Sequence, residues 1–360
     1  MTKVAIVGTM GVPGRYGGFE TLAENLCRYH EQRRATIDLN VYCSSRGGQL
    51  RPNRFCGARL HYLPLQANGL SSVPYDVLGM LLAIARGADS ILLLGVSGGI
   101  FVPLLRVFSS TRVVVNVDGI EWRREKWGPA ARRFLQTSEA IAARFADVVI
   151  ADNRAVAEHI ESTYGRRCEV VAYGGDHVFA EAARAPDQLV LPDKFVLALS
   201  RIEPENNVEP ILRAFAGGGG MALVYIGNWE ASAFGRALRK KFASFTNIFM
   251  MDPIYDVGTL RFVRERALVY VHGHSAGGTN PSLVEIMHFG CPVVAFDCAF
   301  NRFTTDDQAF YFSDSESLRC LIAATDWHLA RQSVGVRMKQ LADERYKWDV
   351  VGARYFDLLV

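Results

Sequence analysis

Several features that mark large classes of protein are missing from this sequence. The longest uncharged stretch, residues 90–105, is broken by three glycines and a proline, so it falls short of the roughly 20 apolar residues that span a bilayer. The seven cysteines form no CxxC pair, which is typical of free thiols in a reducing compartment. The formal net charge of +3 is too small to indicate nucleic acid as a partner. We therefore expect a cytoplasmic protein.

Alternating apolar segments organise what is present. In a chain of 360 residues with 49% hydrophobic and 21% charged residues, two domains are the default. Strand-like runs alternate with helix-like segments almost throughout, which indicates an α/β fold with mainly parallel sheets. We predict two doubly wound, Rossmann-like domains that face a cleft.

The alternation weakens between residues 174 and 194, where alanine, proline and aspartate accumulate. We place the linker there, so that residues 1–180 form the first domain and residues 181–345 the second. The C-terminal segment 346–360 reads as a helix rich in aromatic residues, which need cover. It is expected to pack back on the first domain.

A glycine-rich loop separates the first predicted strand from the first predicted helix. It begins at Gly8 and holds five glycines within eleven residues. Its spacing fits neither the GxGxxG dinucleotide motif nor a P-loop, which needs Gly-Lys-Ser/Thr. Two interpretations stay open, a flexible surface loop or a loop that folds over a substrate. In the second, Gly17, Gly18 and Glu20 lie beside that substrate.

The segment 116–127 crowds charged and aromatic residues together after a predicted strand. Asp118, Glu121, Arg124 and Lys126 lie within it, together with two tryptophans. Open α/β sheets bind their ligands at the carboxyl ends of strands. A solvated start of a helix would explain the charges but not the tryptophans. We favour a site in which Asp118 is the reactive carboxylate and the basic side chains face an anionic acceptor or donor phosphate.

Two further strand ends carry polar residues. Asp152 follows one predicted strand, where it either belongs to the site or merely caps the helix from Ala155. Tyr173 ends the next strand just before the predicted linker, and residues at an interdomain crossing often line a cleft. With Asp118 and Glu121, these two residues complete the predicted catalytic set.

The second predicted domain offers places for an anion. Arg201 follows its first strand, where a guanidinium could grip a diphosphate with two parallel hydrogen bonds. A structural salt bridge is the alternative for this arginine.

A second glycine-rich loop, 273–280, leads from a buried strand into a helix. Thr279 or Asn280 suits the N-cap, and Pro281 suits the first turn. Free N–H groups at such a helix start attract anions, and Glu285 adds a carboxylate one turn further on. A sugar nucleotide would place its diphosphate on the amides and its ribose on the carboxylate, although most such junctions are only tight turns.

Four motifs occur in order along nearly the whole chain. They are Gly-Thr-Met-Gly-Val-Pro with Tyr-Gly-Gly-Phe-Glu-Thr (8–13 and 16–21), Asp-Gly-Ile-Glu-Trp-Arg-Arg (118–124), Pro-Glu-Asn-Asn (204–207) and Gly-Gly-Thr-Asn-Pro-Ser-Leu-Val-Glu (277–285). Together they resemble the retaining glycosyltransferases of family 4, which have the two-domain GT-B fold. More narrowly, they resemble the bacterial rhamnosyltransferases whose N-terminal half was catalogued as a domain of unknown function.

The resemblance implies an acceptor site in the first domain and a nucleotide-sugar site in the second. Arg201 matches the family's phosphate-binding arginine, and Glu285 matches the glutamate that holds ribose. The other donor-binding residues implied are Glu205, Asn206, Gly277, Gly278, Thr279, Asn280 and Ser282. The acceptor side would be formed by Gly17, Gly18, Glu20, Arg124 and Lys126.

Two positions depart from the family pattern. Gly277 stands where a glutamate normally contacts the donor sugar, and Asn206 stands where a phosphate-binding lysine is usual. Backbone amides from Gly277 to Thr279 would take over the first role. Both departures are normal in the rhamnosyltransferase-like group, so the resemblance implies a deoxysugar donor such as dTDP-L-rhamnose.

The resemblance also implies the reaction and its partners. An oxocarbenium-like transition state is expected, with Arg201 and the helix start at Ser282 stabilising the departing nucleoside diphosphate. The family needs no metal, and the sequence has no Asp-x-Asp motif, so no cofactor is expected. A lipid-linked saccharide of cell-surface polysaccharide synthesis would be the acceptor. The basic segment 123–133 is then expected to touch the inner face of the plasma membrane transiently.

Two other functions stay open from the residues alone. One is a sugar-nucleotide epimerase or a phosphorylase of similar build. A phosphorylase would need a pyridoxal-phosphate lysine, and none of the five lysines after residue 181 lies in an obvious cofactor motif. The other is a non-catalytic subunit that binds a nucleotide sugar, because Gly277 lacks the family's carboxylate.

Overall fold

The computed structural model describes residues 1–14, 17–33, 36–45, 51–123, 127–186, 190–216 and 220–360. The chain divides into two compact units. Unit 1 comprises Met1–Tyr173 with Trp348–Val360, and unit 2 comprises Gly174–Lys347. The first division falls before residue 180, the boundary expected from the sequence. The reason is that the segment after Tyr173 bonds within unit 2, where the Gly175 N–H donates to the Tyr346 carbonyl at 2.7 Å.

Unit 1 is a doubly wound sheet. Its strands are β1 (Thr2–Val7), β2 (Ile37–Ser44), β3 (Arg54–Phe55), β4 (Ala58–Leu63), β5 (Ser90–Leu94), β6 (Arg112–Asn116), β7 (Val148–Ala151) and β8 (Glu169–Val170). Its helices up to residue 173 are α1 (Gly18–Arg33), α2 (Ser72–Ala85), α3 (Val102–Phe108), α4 (Pro129–Phe145) and α5 (Arg154–Tyr164). The described strands follow the order β3-β4-β2-β1-β5-β6-β7-β8, and all pair in parallel except β3 with β4.

Unit 2 repeats this plan with parallel strands throughout its described residues. The strands are β9 (Phe195–Leu199), β10 (Ala222–Ile226), β11 (Ile248–Met251), β12 (Val269–His272), β13 (Val293–Phe296) and β14 (Phe310–Phe312), in the order β11-β10-β9-β12-β13-β14. The helices are α6 (Val208–Ala216), α7 (Ala233–Phe242), α8 (Val257–Arg266), α9 (Pro281–Met287), α10 (Ala299–Thr305), α11 (Ser315–Ala324), α12 (Trp327–Ala330) and α13 (Val336–Arg345).

Each sheet reverses its winding direction at one point. In unit 1 the chain leaves β1 toward β2 and β4 on one side and later crosses to β5 on the other. In unit 2 it leaves β9 toward β10 and β11, and then crosses to β12. The loops at the carboxyl ends diverge at such switch points and leave a crevice, which is where doubly wound sheets bind ligands.

The central strands are continuous apolar runs, as parallel sheets covered on both faces require. In β1, the residues Val4 to Val7 are fully buried, as are Phe195 to Leu197 of β9. The predicted fold class of two doubly wound parallel sheets is confirmed. Among the described residues, no helix is long and apolar enough to cross a membrane.

The last helix, α14 (Trp348–Leu359), belongs to unit 1. The hydroxyl of Tyr355 accepts a hydrogen bond from Asn116 Nδ2 at 2.6 Å, and the ring of Phe356 stacks on Tyr29 with 5.6 Å between centroids. Tyr346, which the sequence assigned to the same helix, lies in unit 2 and donates to the carbonyl of Thr304. The aromatic residues of this segment are therefore divided between the two units.

Candidate active site

In unit 2, the loops that follow the central strands β9 and β12 are bonded to each other. Ser275 donates to the carbonyl of Glu205 from its N–H at 3.0 Å and from its hydroxyl at 2.8 Å. The Asn207 amide donates to the carbonyl of Gly273 at 2.8 Å. Only glycine fits at 273, because a Cβ there would lie 2.1 Å from the carbonyl oxygen of Asn206. The two loops are therefore held together at this switch point.

Asn206 and His274 form a buried pair in this contact. Asn206 Nδ2 donates to the carbonyl of Arg201 at 2.8 Å, which leaves its Oδ1 facing His274 Nδ1 at 2.7 Å. An oxygen opposite a ring nitrogen requires that nitrogen to carry the proton. Asn206 therefore orients the His274 ring, and its side chain is committed to that task at the position where the motif resemblance led us to expect a lysine.

Gly277 lies against the same histidine. Its φ is +123°, in a region that side-chain-bearing residues rarely adopt. A Cβ at this position would also lie 2.9 Å from His274 Nε2. The backbone conformation and the neighbouring imidazole therefore both disfavour a side chain at position 277.

The helix α9 begins as predicted, with Asn280 as its N-cap and Pro281 as its first residue. Asn280 Oδ1 accepts from the Ser282 N–H at 3.0 Å and from the Ser282 hydroxyl at 2.8 Å. Tyr270 donates to the same hydroxyl at 3.0 Å. The amide of Ser282, expected to face the departing diphosphate, is thus taken up by the cap.

Glu285 is held between a guanidinium and an imidazole from other elements of unit 2. Its Oε2 accepts a close hydrogen bond from the Arg264 guanidinium of α8, and its Oε1 lies 3.3 Å from His177 Nε2. The Glu285 side chain is only 13% exposed. Burial works to raise its pKa, but Arg264 and His177 outweigh burial, so the pKa is lowered and the carboxylate is ionised.

Arg264 and His177 were missed by the sequence analysis. Arg264 lies inside an ordinary amphipathic helix, and no local pattern distinguishes it from the other arginines of α8. His177 follows the Tyr173-Gly174-Gly175-Asp176 segment, which was noted only as the approach to the linker. Both become recognisable once the fold brings them to Glu285.

Arg201 follows β9 and remains accessible, with 41% of its side chain exposed. Its Nε lies 3.7 Å from Glu203 Oε2. Such an exposed, long ion pair stabilises little. The salt bridge considered as the alternative role of Arg201 therefore exists, but it leaves the guanidinium available to a ligand.

His272 ends β12 beneath this loop. Its ring is buried, stacks on Tyr270 at 5.9 Å and lies 6.1 Å from the His274 ring. Within the described part of the chain its Nε2 has no hydrogen-bond partner. Burial lowers the pKa of His272 to about 3, so this ring is neutral at physiological pH.

In unit 1, the first glycine-rich loop is fastened by two glutamates of α1. Glu20 Oε1 accepts from the Met10 N–H at 2.8 Å and from the Thr9 hydroxyl at 3.3 Å. Glu24 Oε2 accepts from the Gly14 N–H at 2.7 Å. These hydrogen bonds fasten residues 9–14 to α1, and Glu20 is engaged by its own loop.

Three of the predicted catalytic residues meet at the carboxyl ends of β6, β7 and β8. Asp118 has a φ of +60°, and its N–H donates to Asn116 Oδ1 at 2.7 Å. Burial, followed by the charges of Asp118 and Asp152, raises the pKa of Tyr173 well above its ordinary value. The Tyr173 hydroxyl would lie 3.2 Å from a Cβ on Gly18, which places it beside the start of α1.

The second interpretation of Asp152, as the cap of the following helix, is wrong. Helix α5 is capped by Asn153, whose side chain accepts from the Ala155 N–H at 2.9 Å. Asp152 is buried at the end of β7. Of the two roles considered for Asp152, the site beside Tyr173 is therefore the one that remains.

The two tryptophans that favoured a site at 116–127 have structural partners. Trp122 Nε1 donates to the buried Glu139 at 3.2 Å, and Tyr164 donates to the same oxygen at 2.8 Å. Trp127 Nε1 donates to Glu121 Oε1 at 3.1 Å. The tryptophans anchor the segment, so they do not by themselves indicate a ligand. Arg124 and Lys126 lie outside the described residues.

Residues 1–176 match the family described as domain of unknown function DUF1972. No curated protein matches the chain. A sucrose-phosphate synthase from Thermosynechococcus elongatus has a similar structure, with TM-score 0.80 and 16% identity over 99% of this chain and 98% of that one. Anabaena Alr3699/HepE, in complex with UDP, gives TM-score 0.72 and 16% identity over 100% and 99%.

A third similar structure is described as trehalose-6-phosphate from E. coli bound with UDP-2-fluoro glucose. It gives TM-score 0.71 and 12% identity over 99% of both chains. At such identities the likeness establishes the fold alone. The GT-B fold expected from the sequence motifs is confirmed.

Proposed function

We propose that this protein is a glycosyltransferase that takes its sugar from a nucleotide-sugar donor bound in unit 2. The observation that carries the proposal is the arrangement after the adjacent strands β9 and β12, where an accessible arginine, Arg201, follows β9 and an ionised glutamate, Glu285, lies on helix α9 after β12. A cation for the diphosphate and a carboxylate for ribose hydroxyls are what such a donor needs. Similar structures hold UDP and UDP-2-fluoro glucose, which supports the same ligand class here.

The donor we favour is dTDP-L-rhamnose. Gly277 offers no carboxylate to the sugar, and the His274 ring closes the space where one would stand. A deoxysugar has fewer hydroxyl groups to be read, so a pocket formed by backbone amides of residues 277–279 suits it. This choice rests on the motif resemblance together with the packing of His274.

The acceptor we propose is a lipid-linked saccharide of cell-surface polysaccharide synthesis, bound at the strand ends of unit 1. Asp118, beside Asp152 and Tyr173, would orient the acceptor hydroxyl. The bond between the anomeric carbon and the diphosphate breaks while the bond to the acceptor oxygen forms on the same face, which retains the configuration. The hydroxyl proton passes to the departing phosphate oxygen, whose new charge Arg201 stabilises.

The test is transfer of rhamnose from dTDP-L-rhamnose to a GlcNAc-diphosphate-lipid, measured as dTDP release and as product mass. Asp118→Asn is expected to lower kcat by roughly 100-fold or more with little change in KM, while Arg201→Ala mainly raises KM for the donor. Asp349→Asn, on exposed helix α14 surface, is the control and should match wild type.

Other outcomes would contradict parts of the proposal. Full activity of Asp118→Asn would remove that residue from the site. Donor binding in a thermal-shift panel without transfer to any acceptor would instead identify a non-catalytic subunit that binds nucleotide sugars. Inversion at the anomeric carbon, detected by NMR of the product, would overturn the retaining mechanism.

A further inference from the structure

One helical segment of unit 1 carries large apolar side chains on its outer face. Residues Gly99–Phe101 form a helical turn that continues into α3. Ile100, Leu104, Val107 and Phe108 on this segment are exposed, with Val107 at 74% and Phe108 at 73%. Positions i, i+4, i+7 and i+8 lie on one face of a helix. The exposure is thus a continuous stripe along the segment.

The opposite face of the same segment is also apolar. Val102 and Leu105 are buried in the core of unit 1. A helix that is apolar all round is normally covered on every side, and single exposed apolar residues are common whereas contiguous ones indicate an interaction site. The outer stripe therefore calls for a partner.

Helix α4 extends this surface and fixes it in place. The Ile100 N–H donates to the hydroxyl of Ser138 at 2.9 Å, and that hydroxyl donates to the Val96 carbonyl at 2.5 Å. Arg106 Nε donates to the carbonyl of Phe145 at 3.2 Å, and the Phe145 ring is itself exposed. We call the set Ile100, Leu104, Val107, Phe108 and Phe145 the apolar ridge.

The two helices that carry the apolar ridge also carry exposed arginines, and the guanidinium of Arg144 lies 5.9 Å from the Phe145 ring centroid. In α3 and α4, all of whose residues are described, the exposed charged side chains are Arg106, Arg132, Arg133 and Arg144. The acid within these helices, Glu139, is buried. Asp147, just after α4, pairs with Arg106. The exposed charges on the two helices that carry the ridge are therefore all positive.

We propose that the apolar ridge docks unit 1 on the surface of an anionic lipid bilayer. Apolar side chains that insert among headgroups, together with flanking arginines that attract anionic lipids, are the two contributions that hold a protein at such an interface. Arg132 and Arg133 belong to the basic segment expected at a membrane from the sequence, but the inserting residues lie elsewhere, on α3. The proposal goes beyond glycosyl transfer and does not depend on it.

The experiment is flotation of the full chain with vesicles of phosphatidylglycerol and phosphatidylcholine, and with phosphatidylcholine alone. Wild type should float with the anionic vesicles. The Val107→Ser/Phe108→Ser variant should bind these vesicles at least about tenfold more weakly than wild type, because two large apolar side chains no longer enter the interface. Both side chains are mostly exposed, so its unfolding temperature should equal that of wild type.

Two further variants separate the apolar and electrostatic contributions. Leu329→Ser/Val336→Ser removes two exposed apolar side chains of unit 2, where Leu329 is 62% exposed, and should bind like wild type. Arg132→Glu/Arg133→Glu should bind anionic vesicles roughly tenfold more weakly than wild type, since each basic residue near such a surface contributes electrostatic attraction. High salt should weaken wild-type binding in the same direction.

Three results would overturn the proposal. Wild type that fails to float with anionic vesicles would do so, as would undiminished binding of Val107→Ser/Phe108→Ser. A wild-type dimer that this variant converts to a monomer, without vesicle binding, would assign the ridge to a second copy of the chain. No sugar nucleotide is present in the assay, so its failure leaves glycosyl transfer untouched.

Discussion

The two units each place a glycine-rich loop between a central strand and a helix that carries glutamates, yet they fasten these loops differently. In unit 1, Glu20 and Glu24 of α1 turn back onto the amides of their own loop. In unit 2, the loop 273–280 is held by the neighbouring loop, and Glu285 pairs with Arg264 and His177. The same local pattern therefore has two outcomes. In unit 1 the glutamates bind their own loop, whereas in unit 2 the glutamate is an ionised residue paired with other elements.

This difference shows what a glutamate after a glycine-rich loop can signify. Glu20 uses one oxygen for two donors of the loop, so it is explained without a ligand. Glu285 serves no amide of its own loop among the hydrogen bonds described, and its charge is maintained by an arginine from another helix. A carboxylate keeps about four acceptor sites, so Glu285 can still receive ribose hydroxyls.

The largest effect is expected from breaking the Arg264–Glu285 pair. Arg264→Met should lower the free energy of unfolding by about 3–5 kcal/mol, because a largely buried carboxylate loses its main counter-charge. The folded state lowers the pKa of Glu285 below its ordinary 4.5, so the pair stabilises above about pH 4.5. That stabilisation is lost as pH falls through the folded pKa. Urea unfolding at pH 7 and pH 4 should show the difference between wild type and variant shrinking in acid.

The double variant Arg264→Met/Glu285→Leu is the control for this pair. Replacing both partners by apolar residues of similar size is often neutral, so most of the stability should return while donor binding stays lost. Recovery of donor binding in the double variant would show that Glu285 is structural, like Glu20. Equal stability of wild type and Arg264→Met would contradict the pairing itself.

A smaller effect is expected from introducing at position 277 the glutamate of the family pattern that this sequence resembles. Gly277→Glu should cost about 1–3 kcal/mol, because φ is unfavourable for a side chain and the Cβ meets His274. It should not tighten nucleotide-sugar binding, measured by thermal shift and calorimetry. Gly220→Glu is the matched control, since Gly220 also has positive φ but nothing within 4 Å of its Cβ position.

Combining Gly277→Glu with His274→Ala tests the cause. Removal of the ring should return part of the lost stability, leaving the backbone cost alone. A Gly277→Glu protein that is as stable as wild type, or binds donor better, would show that the histidine does not close this space.

The smallest effect is expected in unit 1. Glu20→Gln keeps an acceptor for the Met10 N–H but removes its charge, so the free energy of unfolding should fall by about 0.5–1.5 kcal/mol. Expressed as a free energy, the loss of transfer activity should be no larger than this loss of stability. Glu31→Gln, at an exposed position of the same helix, controls for the loss of charge. If Glu20→Gln instead lost much of its turnover at unchanged stability, Glu20 would be identified as a ligand contact. The difference in role between Glu20 and Glu285 would then not exist.

Features that depend on neighbouring residues were predictable. The buried strands appear as apolar runs, and the start of α9 was predicted at Thr279 or Asn280 followed by Pro281, because capping involves residues two or three apart; the cap is Asn280. The placement of loops at the carboxyl ends of strands follows from parallel pairing. These local rules were enough for the fold class, and they placed Arg201 and the loop that leads to Glu285 at adjacent strand ends.

Pairings between distant residues were not predictable. Trp122 seemed to mark a ligand site because Glu139, its partner 17 residues away, gives no sign in the sequence of being buried. Asp152 seemed able to cap α5, yet Asn153 has the extended backbone that a cap needs. Tertiary packing gave Trp122 its partner, whereas the cap of α5 depended on a difference of one residue in where the helix begins.

The sequence by itself determined two doubly wound sheets with glycine-rich loops at their switch points, because strand burial, turns and caps are set by short-range pattern. Only the tertiary structure decided which polar groups are satisfied within the protein and which remain for a ligand. His274 reaches Asn206 across 68 residues, and Arg264 reaches Glu285 across 21. Such contacts depend on how separate helices and loops pack, and no spacing along the chain encodes them.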